Sequence, residues 1–371
     1  MNAEKFILDN IDQYSQILAD TPTVIDDHYI KNCQPGLETF ATLLSPKAAP
    51  FLEQMAVRAQ QLTWERFGRV IRLYAPLYVS NECTNACVYC GFNAKHRFDR
   101  KTLNLEEIEK EVEILAEKGI RHVLLVSGES KRAISPELLA EIANIIHDKV
   151  PSISIEVAPF ATEEYKLLVD NGIEGLAVYQ ETYDQELYKK VHPAGKKSNY
   201  SWRVETPERG AKAGMRHISL GVLLGLSKDW RRDSLCIALH LHYMLKNYWR
   251  VKYSVSLPRL CECEGGYPPA SLVSDKELAQ LIFAYRLAFP DVGVNLSTRE
   301  APSYRNGLAG VGVTHMSSEA STEPGGYANP KKEKEGKQFI ITDNRTTAEF
   351  SEMLRQKGLE PVWKDWDSTI V

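Results

Sequence analysis

Short runs of apolar and β-branched residues alternate with amphipathic stretches through most of this 371-residue chain. The amphipathic stretches repeat their apolar residues every three or four positions, as Leu105, Ile108 and Val112 do, which is typical of helices with one buried face. Strands that alternate with helices in this way favour a parallel sheet, and eight such units favour an α/β fold of the (β/α)8 barrel type. The eight predicted strands are residues 71–79, 122–127, 153–158, 175–180, 218–224, 252–257, 292–297 and 310–315.

The alternating region divides the chain into three predicted parts. Residues 1–70 are predicted to form an N-terminal helical extension and residues 71–329 the barrel. Residues 330–371 are predicted to form a charged linker and a C-terminal tail, with one short helix over residues 346–357. The last two barrel units rest on shorter patterns than the first six.

The composition is that of an ordinary globular protein with a large core. Hydrophobic residues make up 43% and charged residues 25% of the chain, and there is no apolar run long enough to span a membrane. The formal net charge of −4 provides no general attraction for nucleic acid, and the acidic N-terminus does not resemble a signal peptide. We therefore expect no nucleic acid and no membrane partner, and the seven cysteines suit a reducing cytoplasm.

Three cysteines are crowded into the segment that follows the first predicted strand. Cys83, Cys87 and Cys90 have the spacing C-x3-C-x2-C, with no fourth cysteine nearby. An iron–sulfur cube has four irons, so three thiolates leave one iron open for another ligand. The alternative is a zinc site with His96 as the fourth ligand, although structural zinc sites usually use paired motifs. A disulfide is disfavoured because one thiol would be left over and nothing indicates secretion.

Polar residues follow two further predicted strands, at the end of the barrel where such folds place their active sites. Ser127, Gly128 and Glu129 follow the second strand, where Gly128 permits a close approach of backbone, although an ordinary turn has the same composition. Gln180 and Glu181 end the fourth strand and would direct polar groups to the barrel mouth.

Two arginines supply candidate anion sites near the same mouth. Arg203 precedes a Thr-Pro pair typical of a helix start, and we interpret Glu208 as part of that helix rather than of a site. Arg299 ends the seventh strand, and Ser317 and Ser318 follow the eighth, so they form a candidate clamp for the carboxylate of an amino acid. Arg299 has an alternative structural use, as the partner of Glu300 or of another acid of the barrel.

Together these segments resemble one branch of the radical S-adenosylmethionine (SAM) enzymes, the tyrosine lyases of thiamin biosynthesis, which are also called 2-iminoacetate synthases. The similarity extends over most of the chain, and its last two segments separate this branch from its relatives. The segments are residues 77–81, 90–92, 100–103, 126–129, 178–183, 202–207, 253–256, 296–300, 324–328 and 361–368.

The resemblance implies two cofactors, a 4Fe-4S cluster on Cys83, Cys87 and Cys90 and a molecule of SAM. In this family the open iron binds the amino and carboxylate groups of SAM, and an electron from the cluster releases a 5'-deoxyadenosyl radical. Arg203 is expected to pair with the SAM carboxylate. The complete set of expected cofactor contacts is Tyr78, Tyr89, Phe92, Ser127, Gly128, Glu129, Gln180, Glu181 and Arg203.

The resemblance also implies the reaction and its partners. The radical takes a hydrogen atom from the amino group of L-tyrosine, and the Cα–Cβ bond breaks to give 2-iminoacetate (dehydroglycine) and p-cresol. The expected substrate contacts are Arg299, Ser317 and Ser318. A thiazole synthase is expected to consume the product, and a flavodoxin- or ferredoxin-type protein is expected to supply the electron.

Three other interpretations remain open from the sequence. The hydrogenase maturase that also cleaves tyrosine carries an extra C-terminal cysteine cluster site, and a tryptophan-cleaving relative shares the same frame. A zinc-stabilised scaffold is the interpretation without enzymatic activity. Cys261 and Cys263 are interpreted as incidental thiols, because a C-x-C spacing is too tight for most metal pairs and no partner cysteines follow.

Overall fold

The computed structural model describes residues 1–261, 266–330 and 337–364. Eight parallel strands close into a barrel in the order in which they occur along the chain, because β2 and β8 both pair with β1. The predicted (β/α)8 architecture is therefore confirmed. The strands are β1 Val70–Ser80, β2 His122–Ser127, β3 Ser152–Glu156, β4 Gly175–Glu181, β5 His217–Val222, β6 Lys252–Ser256, β7 Gly293–Leu296 and β8 His315–Ser317.

Helices precede the barrel and surround it. Before β1 the chain forms α1 Ala3–Ala19, α2 Asp27–Asn32, α3 Leu37–Leu44, a 3-10 helix Pro46–Phe51, and α4 Leu52–Phe67. The later helices are α5 Leu105–Glu117, α6 Pro136–Ile146, α7 Thr162–Asp170, α8 Gln185–Val191, α9 Tyr200–Val204, α10 Thr206–Ala213, α11 Trp230–Asn247, α12 Asp275–Ala288, α13 Pro302–Leu308 and α14 Thr347–Gln356, with a 3-10 turn at Lys196–Ser198. Within the described ranges, no helix is both long and apolar enough to cross a membrane.

The N-terminal helices extend the outer helical layer of the barrel. Helix α1 packs along α11, and α3 and α4 pack against α12. The apolar face of α1 is buried through Ile7 and Ile11. Phe40 of α3 lies against the ring of Tyr285 in α12, with 4.5 Å between ring centroids. Burial of these apolar faces attaches residues 3–67 to the barrel.

The bounds of the first seven strands agree with the sequence prediction to within two residues, whereas the eighth was misplaced. Residues 310–314 were predicted to be strand, but Gly310 and Gly312 have φ values of +75° and +88°, which turn the chain before β8 begins at His315. A ninth strand, β9 Glu360–Val362, pairs in parallel with the start of β1 and was not predicted. The predicted helix over 346–357 corresponds to α14, and residues 331–336 of the predicted linker lie outside the described residues.

Polar side chains fill the barrel below its mouth. Arg72 of β1 contacts Glu174, which precedes β4, at 3.5 Å, and both side chains are buried. His217 of β5 stacks on His315 of β8 with 5.8 Å between ring centroids. Asn295 of β7 donates its amide to hydroxyls on β5 and β6. These polar side chains lie beneath the cavity described next.

Candidate active site

The three predicted cluster cysteines lie together on the loop that follows β1. The Cys90 N–H donates to the Cys87 carbonyl at 3.3 Å, and the Asn85 N–H donates to the Cys83 sulfur at 3.4 Å. Burial raises the pKa of the Cys87 thiol to about 12. Burial also raises the pKa of Cys90, and the charges of Cys87 and Cys83 raise it further. The three thiols are thus close enough to oppose one another's ionisation, and binding of a metal reverses that effect.

Arg100 holds the two ends of this cysteine loop together. Its guanidinium donates to the carbonyls of Asn81 at 2.7 Å, Phe92 at 2.9 Å and Asn93 at 2.7 Å. These acceptors lie before and after the three cysteines in the chain. One half-buried cation therefore satisfies carbonyls that an irregular loop would otherwise leave without partners.

Gly128 allows the cysteine loop to pack directly on the end of β2. A Cβ atom at this position would lie 2.4 Å from the carbonyl oxygen of Glu82 and 3.0 Å from the Cβ of Cys83. The Gly128 N–H donates to the Ser80 carbonyl at 2.9 Å. The absence of a side chain at residue 128 is therefore a steric requirement for the position of Cys83.

Two ion pairs lie beside the cysteine loop. Arg203 of α9 contacts Glu129 at 2.6 Å, and Lys197 contacts Glu181 at 2.7 Å, with at most 12% of any of these side chains exposed. Asn85 of the cysteine loop donates its amide to Glu129 at 2.9 Å. Although burial opposes ionisation, the charges of Arg203 and Lys197 hold the pKa of Glu129 below its usual range. Glu129 is therefore a carboxylate at neutral pH.

A cavity at the carboxyl ends of the strands contains about 900 Å³ of empty space, including its opening. The cavity joins the cysteine loop to the predicted carboxylate clamp. The residues predicted for the site that line it are Tyr78, Tyr89, Cys90, Glu181, Arg299 and Ser317.

Comparison with known proteins identifies the family. The model of the radical SAM superfamily matches residues 77–235, and that of the biotin and thiamin synthesis associated domain matches residues 256–360. The 2-iminoacetate synthase of Escherichia coli is 43% identical over 326 residues, which cover 88% of this chain and 86% of the relative. The chain belongs to the 2-iminoacetate synthase family of radical SAM enzymes. The 2-iminoacetate synthase of Salmonella typhimurium is 44% identical with the same coverage.

Two solved structures share the architecture of this chain. The FeFe-hydrogenase maturase HydG from Carboxydothermus hydrogenoformans superposes with a TM-score of 0.84 at 30% identity, covering 98% of this chain and 82% of that chain. Methylornithine synthase (PylB) superposes with a TM-score of 0.71 at 23% identity, covering 91% of this chain and 96% of that one, and shares the fold.

The donor set of the cysteine loop fits the 4Fe-4S cluster of radical SAM enzymes. The loop offers three thiols, and the His96 Nδ1 contacts the Gly91 carbonyl at 3.2 Å. Within residues 1–261, 266–330 and 337–364, no three His, Cys, Asp or Glu side chains converge on a point that would hold a single metal ion. A zinc site needs such convergence, whereas a cube binds each thiolate at a different iron.

Several residues predicted for the site lie behind the cavity wall. Phe92 packs edge-on against Tyr78 with 5.9 Å between ring centroids, and Ser127 is buried at the end of β2. The Ser318 hydroxyl faces the Thr347 hydroxyl at 3.4 Å. These three side chains can support the site, but they do not line its cavity.

Gln180 and Glu181, which were predicted together at the end of β4, have different surroundings in the structure. The strand pairing shifts register between Tyr179 and Glu181, and Glu181 has a φ of +70°. Glu181 therefore faces the cavity, whereas the buried amide of Gln180 has no hydrogen-bond partner among the described residues. Such an irregularity is common beside active sites.

Arg299 is positioned by an aromatic ring rather than by an acid. Its guanidinium carbon lies 3.4 Å from the centroid of the Phe339 ring. Glu300, the acid that the sequence offered as an alternative partner, pairs with Arg259. Ser317 beside Arg299 accepts a hydrogen bond from the Thr298 N–H at 3.1 Å. The donors of the guanidinium are thus held in a plane at the cavity wall.

Several residues at or beside the cavity were not predicted from the sequence. Lys197 carries no sequence signal, because its motif is only a pair of lysines. Gln338, which accepts a hydrogen bond from the Tyr78 hydroxyl at 2.5 Å, and Phe339 were assigned to the linker and tail on the charge of their neighbours. Glu156 ends β3 and faces the cavity. The predicted strand extended to residue 158, so the sequence placed Glu156 inside the strand rather than at its end.

Proposed function

We propose that this chain cleaves the Cα–Cβ bond of L-tyrosine to give 2-iminoacetate and p-cresol, with SAM consumed to 5'-deoxyadenosine and methionine. The two-carbon product supplies the thiazole of thiamin. One observation carries the proposal, namely that Cys90 of the cysteine loop and Arg299 border the same cavity. Membership of the 2-iminoacetate synthase family supports the same reaction.

Cys83, Cys87 and Cys90 would hold the 4Fe-4S cluster, with SAM beside it. When bound, these cofactors supply a 5'-deoxyadenosyl radical that removes a hydrogen atom from the amino group of the substrate. Glu129 and Arg203 present opposite charges next to the cysteine loop, which suits the ammonium and carboxylate groups of SAM.

The Arg299 guanidinium receives the carboxylate of tyrosine. Stacking on Phe339 holds its plane, so that a two-pronged hydrogen bond to a carboxylate needs little reordering. Ser317 lies on the same wall and limits the position of the amino acid. A fixed carboxylate sets which atom of the substrate faces the cofactor, and positioning of this kind determines the site of hydrogen removal.

Apolar side chains complete the cavity. Leu124, Val126 and Leu223 line it together with Tyr179. This surface suits the aromatic ring of tyrosine and keeps water and stray hydrogen donors away from reactive intermediates.

The proposed reaction needs two protein partners, and the cysteines indicate where it takes place. A thiazole synthase consumes the product, because 2-iminoacetate is an imine that water converts to glyoxylate. A flavodoxin- or ferredoxin-type protein supplies the electron. A reducing cytoplasm is supported by the six cysteines in the described ranges, all of which are free thiols.

The test is an anaerobic assay of the reconstituted protein with SAM, a reductant and one aromatic amino acid at a time, with products identified by mass. We expect p-cresol and glyoxylate in near-equal amounts from tyrosine. Carbon monoxide or cyanide at stoichiometric levels would instead indicate the maturase reaction, although no cysteine follows Cys263 to ligate a second cluster in that region. Indole-derived products from tryptophan would indicate the third branch, and a colourless zinc protein would indicate a scaffold.

A further inference from the structure

Glu156 is a carboxylate that faces the cavity without a partner. It is the last residue of β3, and its carboxylate lines the cavity wall. No group in the part of the chain that the structure describes donates a hydrogen bond to it or forms an ion pair with it. The two neighbouring acids differ in this respect, because Glu129 pairs with Arg203 and Glu181 pairs with Lys197.

A carboxylate without a partner inside a cavity is stabilised when a ligand brings a positive charge to it. Lys197 and Arg203 are already committed to Glu181 and Glu129. The charged and titratable groups that face Glu156 are Glu181, Arg299, Lys197, Arg203, Tyr74, Tyr78 and Tyr179. A positive charge that pairs with Glu156 would therefore come from the occupant of the cavity.

The position of Glu156 relative to Arg299 matches the charges of an amino acid. Strands β3 and β7 lie four apart in the closed barrel, so the two side chains enter the cavity from opposite sides of its mouth. The Arg299 charge nevertheless influences the Glu156 carboxylate, which places the two groups within electrostatic reach. With the substrate carboxylate on Arg299, its ammonium group can face Glu156.

We propose that Glu156 contacts the α-amino group of the tyrosine substrate, pairs with its ammonium form and accepts one proton from it. This inference rests on the proposed function. In the step, one N–H bond breaks with its electron pair left on nitrogen, and an O–H bond forms on the Glu156 carboxylate. No oxidant or reductant is involved.

The reaction needs such an acceptor because hydrogen-atom removal from nitrogen is favourable only when the nitrogen keeps a lone pair beside the radical. Burial raises the pKa of Glu156 to about 7, and the charge of Glu181 contributes. The ammonium group of an amino acid is a much weaker acid than an ordinary glutamate, whose pKa is about 4.3. A proton therefore moves from the substrate to Glu156 at much lower cost than to an ordinary carboxylate.

The test compares three ligands by isothermal titration of the anaerobically reconstituted protein with SAM and without reductant. L-Tyrosine has all the groups, 3-(4-hydroxyphenyl)propanoate lacks the amino group, and L-phenylalanine lacks the phenol hydroxyl. The variants are Glu156→Gln and Glu156→Asp, with Glu163→Gln on the exposed first turn of α7 as the matched control. We expect the wild type and the control to prefer tyrosine over the propanoate by roughly tenfold or more. Glu156→Gln should lose that preference and keep the preference for tyrosine over phenylalanine.

Turnover gives a second readout. Glu156→Gln should lower kcat for p-cresol formation, and its residual rate should rise with pH as more of the free amine forms, while Glu156→Asp should recover part of the rate. Retention of the amino-group preference in Glu156→Gln would overturn the proposal. Loss of the tyrosine-over-phenylalanine preference would assign Glu156 to the phenol, and a weakened affinity for SAM would assign it to the cofactor. A wild type that binds tyrosine but makes no p-cresol would instead contradict the proposed function.

Discussion

The Arg203 guanidinium contacts the Glu129 carboxylate at 2.6 Å and ties helix α9 to the segment that follows β2. The same guanidinium donates through its Nε to the Tyr179 carbonyl at 2.6 Å, next to the bulge of β4. Glu129 in turn accepts from Asn85 of the cysteine loop. One cation therefore links three of the loops that surround the cavity, so the position of the cysteine loop depends on it.

Removal of this cation should destabilise the protein more than removal of the whole pair. Arg203→Ala leaves the Glu129 carboxylate largely buried without its main partner, and we expect the free energy of unfolding to fall by about 3–5 kcal/mol. The double variant Arg203→Ala with Glu129→Gln should lose less than Arg203→Ala alone, because no unpaired buried carboxylate remains. Urea unfolding without SAM gives the free energy of unfolding of the wild type, the two single variants and the double variant, which together form a double-mutant cycle. Strictly additive losses would show that the pair is not coupled.

The three loop cysteines should each be required for the cluster. Cys83→Ser, Cys87→Ser and Cys90→Ser should each lose the absorbance near 400 nm and most of the iron after anaerobic reconstitution, because two thiolates cannot hold a cube that needs three protein ligands. Cys33→Ala is the control, since Cys33 follows α2 and its thiol contacts the Ile30 carbonyl. An unchanged iron content in any of the three serine variants would contradict the assignment of that cysteine.

Gly128→Ala should reduce cluster binding without removing any ligand. The added methyl group would lie 2.4 Å from the Glu82 carbonyl oxygen, so the backbone that carries Cys83 must shift. We expect a lower iron content and a lower rate of SAM cleavage at an unchanged helix content by circular dichroism. Gly307→Ala in α13 is the matched control, because a Cβ there meets nothing within 4 Å. Equal iron content in the two variants would remove the steric role of Gly128.

Much of the architecture follows from local patterns, whereas the errors arise where local and global preferences differ. The strand over 122–127 was predicted to the residue, because all six side chains are buried and form a continuous apolar run apart from its ends. The strand predicted over 310–315 failed because Val311 packs against the core from a turn between Gly310 and Gly312. β9 has only three residues, and its pairing with β1 is set by contacts distant in sequence.

The site was predictable where a motif is compact and not where partners come from separate loops. Cys83, Cys87 and Cys90 stand within eight residues of sequence, so their grouping needs no fold. Arg203 was predicted to pair with the carboxylate of SAM, which stays a prediction, but its contact with Glu129, 74 residues earlier in the chain, was not predicted. No spacing in the sequence indicates that contact, since α9 and the end of β2 meet only when the barrel closes.

His240 should make the stability of the protein depend on pH. Burial lowers its pKa to about 3, and its Nδ1 contacts the Tyr183 hydroxyl at 2.8 Å. The folded protein therefore keeps His240 neutral, while the unfolded chain takes up a proton below about pH 6.5. The stabilisation is complete above pH 6.5 and declines as the pH falls toward 3.

His240→Phe isolates this effect. At pH 7 the variant should be less stable by roughly 1–3 kcal/mol, because the Tyr183 hydroxyl loses its partner. Between pH 5.5 and 4 the difference in free energy of unfolding between the wild type and the variant should narrow by about 1.4 kcal/mol per pH unit. Only the wild type has a histidine at this position that takes up a proton on unfolding. Urea unfolding at each pH gives the slope of the free energy of unfolding against pH for the wild type and for the variant. The other buried histidines contribute equally to both slopes, so their effect drops out of the comparison. Parallel slopes would show that His240 is not neutral in the folded protein.

Arg299 should control the affinity for the amino acid and not for the cofactor. Loss of a charge-assisted contact with a carboxylate in a desolvated site costs about 2–5 kcal/mol, so Arg299→Ala should weaken tyrosine binding by that amount. Arg299→Lys should restore only part of it, because an ammonium cannot form the two-pronged contact or stack on Phe339 in the same plane. Cleavage of SAM without tyrosine should persist in both variants.

Tyramine, which lacks the carboxylate, separates loss of this contact from a general disturbance of the cavity. Wild-type protein should bind tyramine more weakly than tyrosine, and Arg299→Ala should bind the two ligands about equally, because the contact that distinguishes them is gone. Phe339→Leu is the companion variant, since it keeps the guanidinium and removes the ring 3.4 Å beneath it. It should weaken tyrosine by less than Arg299→Ala does. Normal tyrosine affinity in Arg299→Ala, or an equal loss of tyramine and tyrosine binding, would place the substrate carboxylate elsewhere in the cavity.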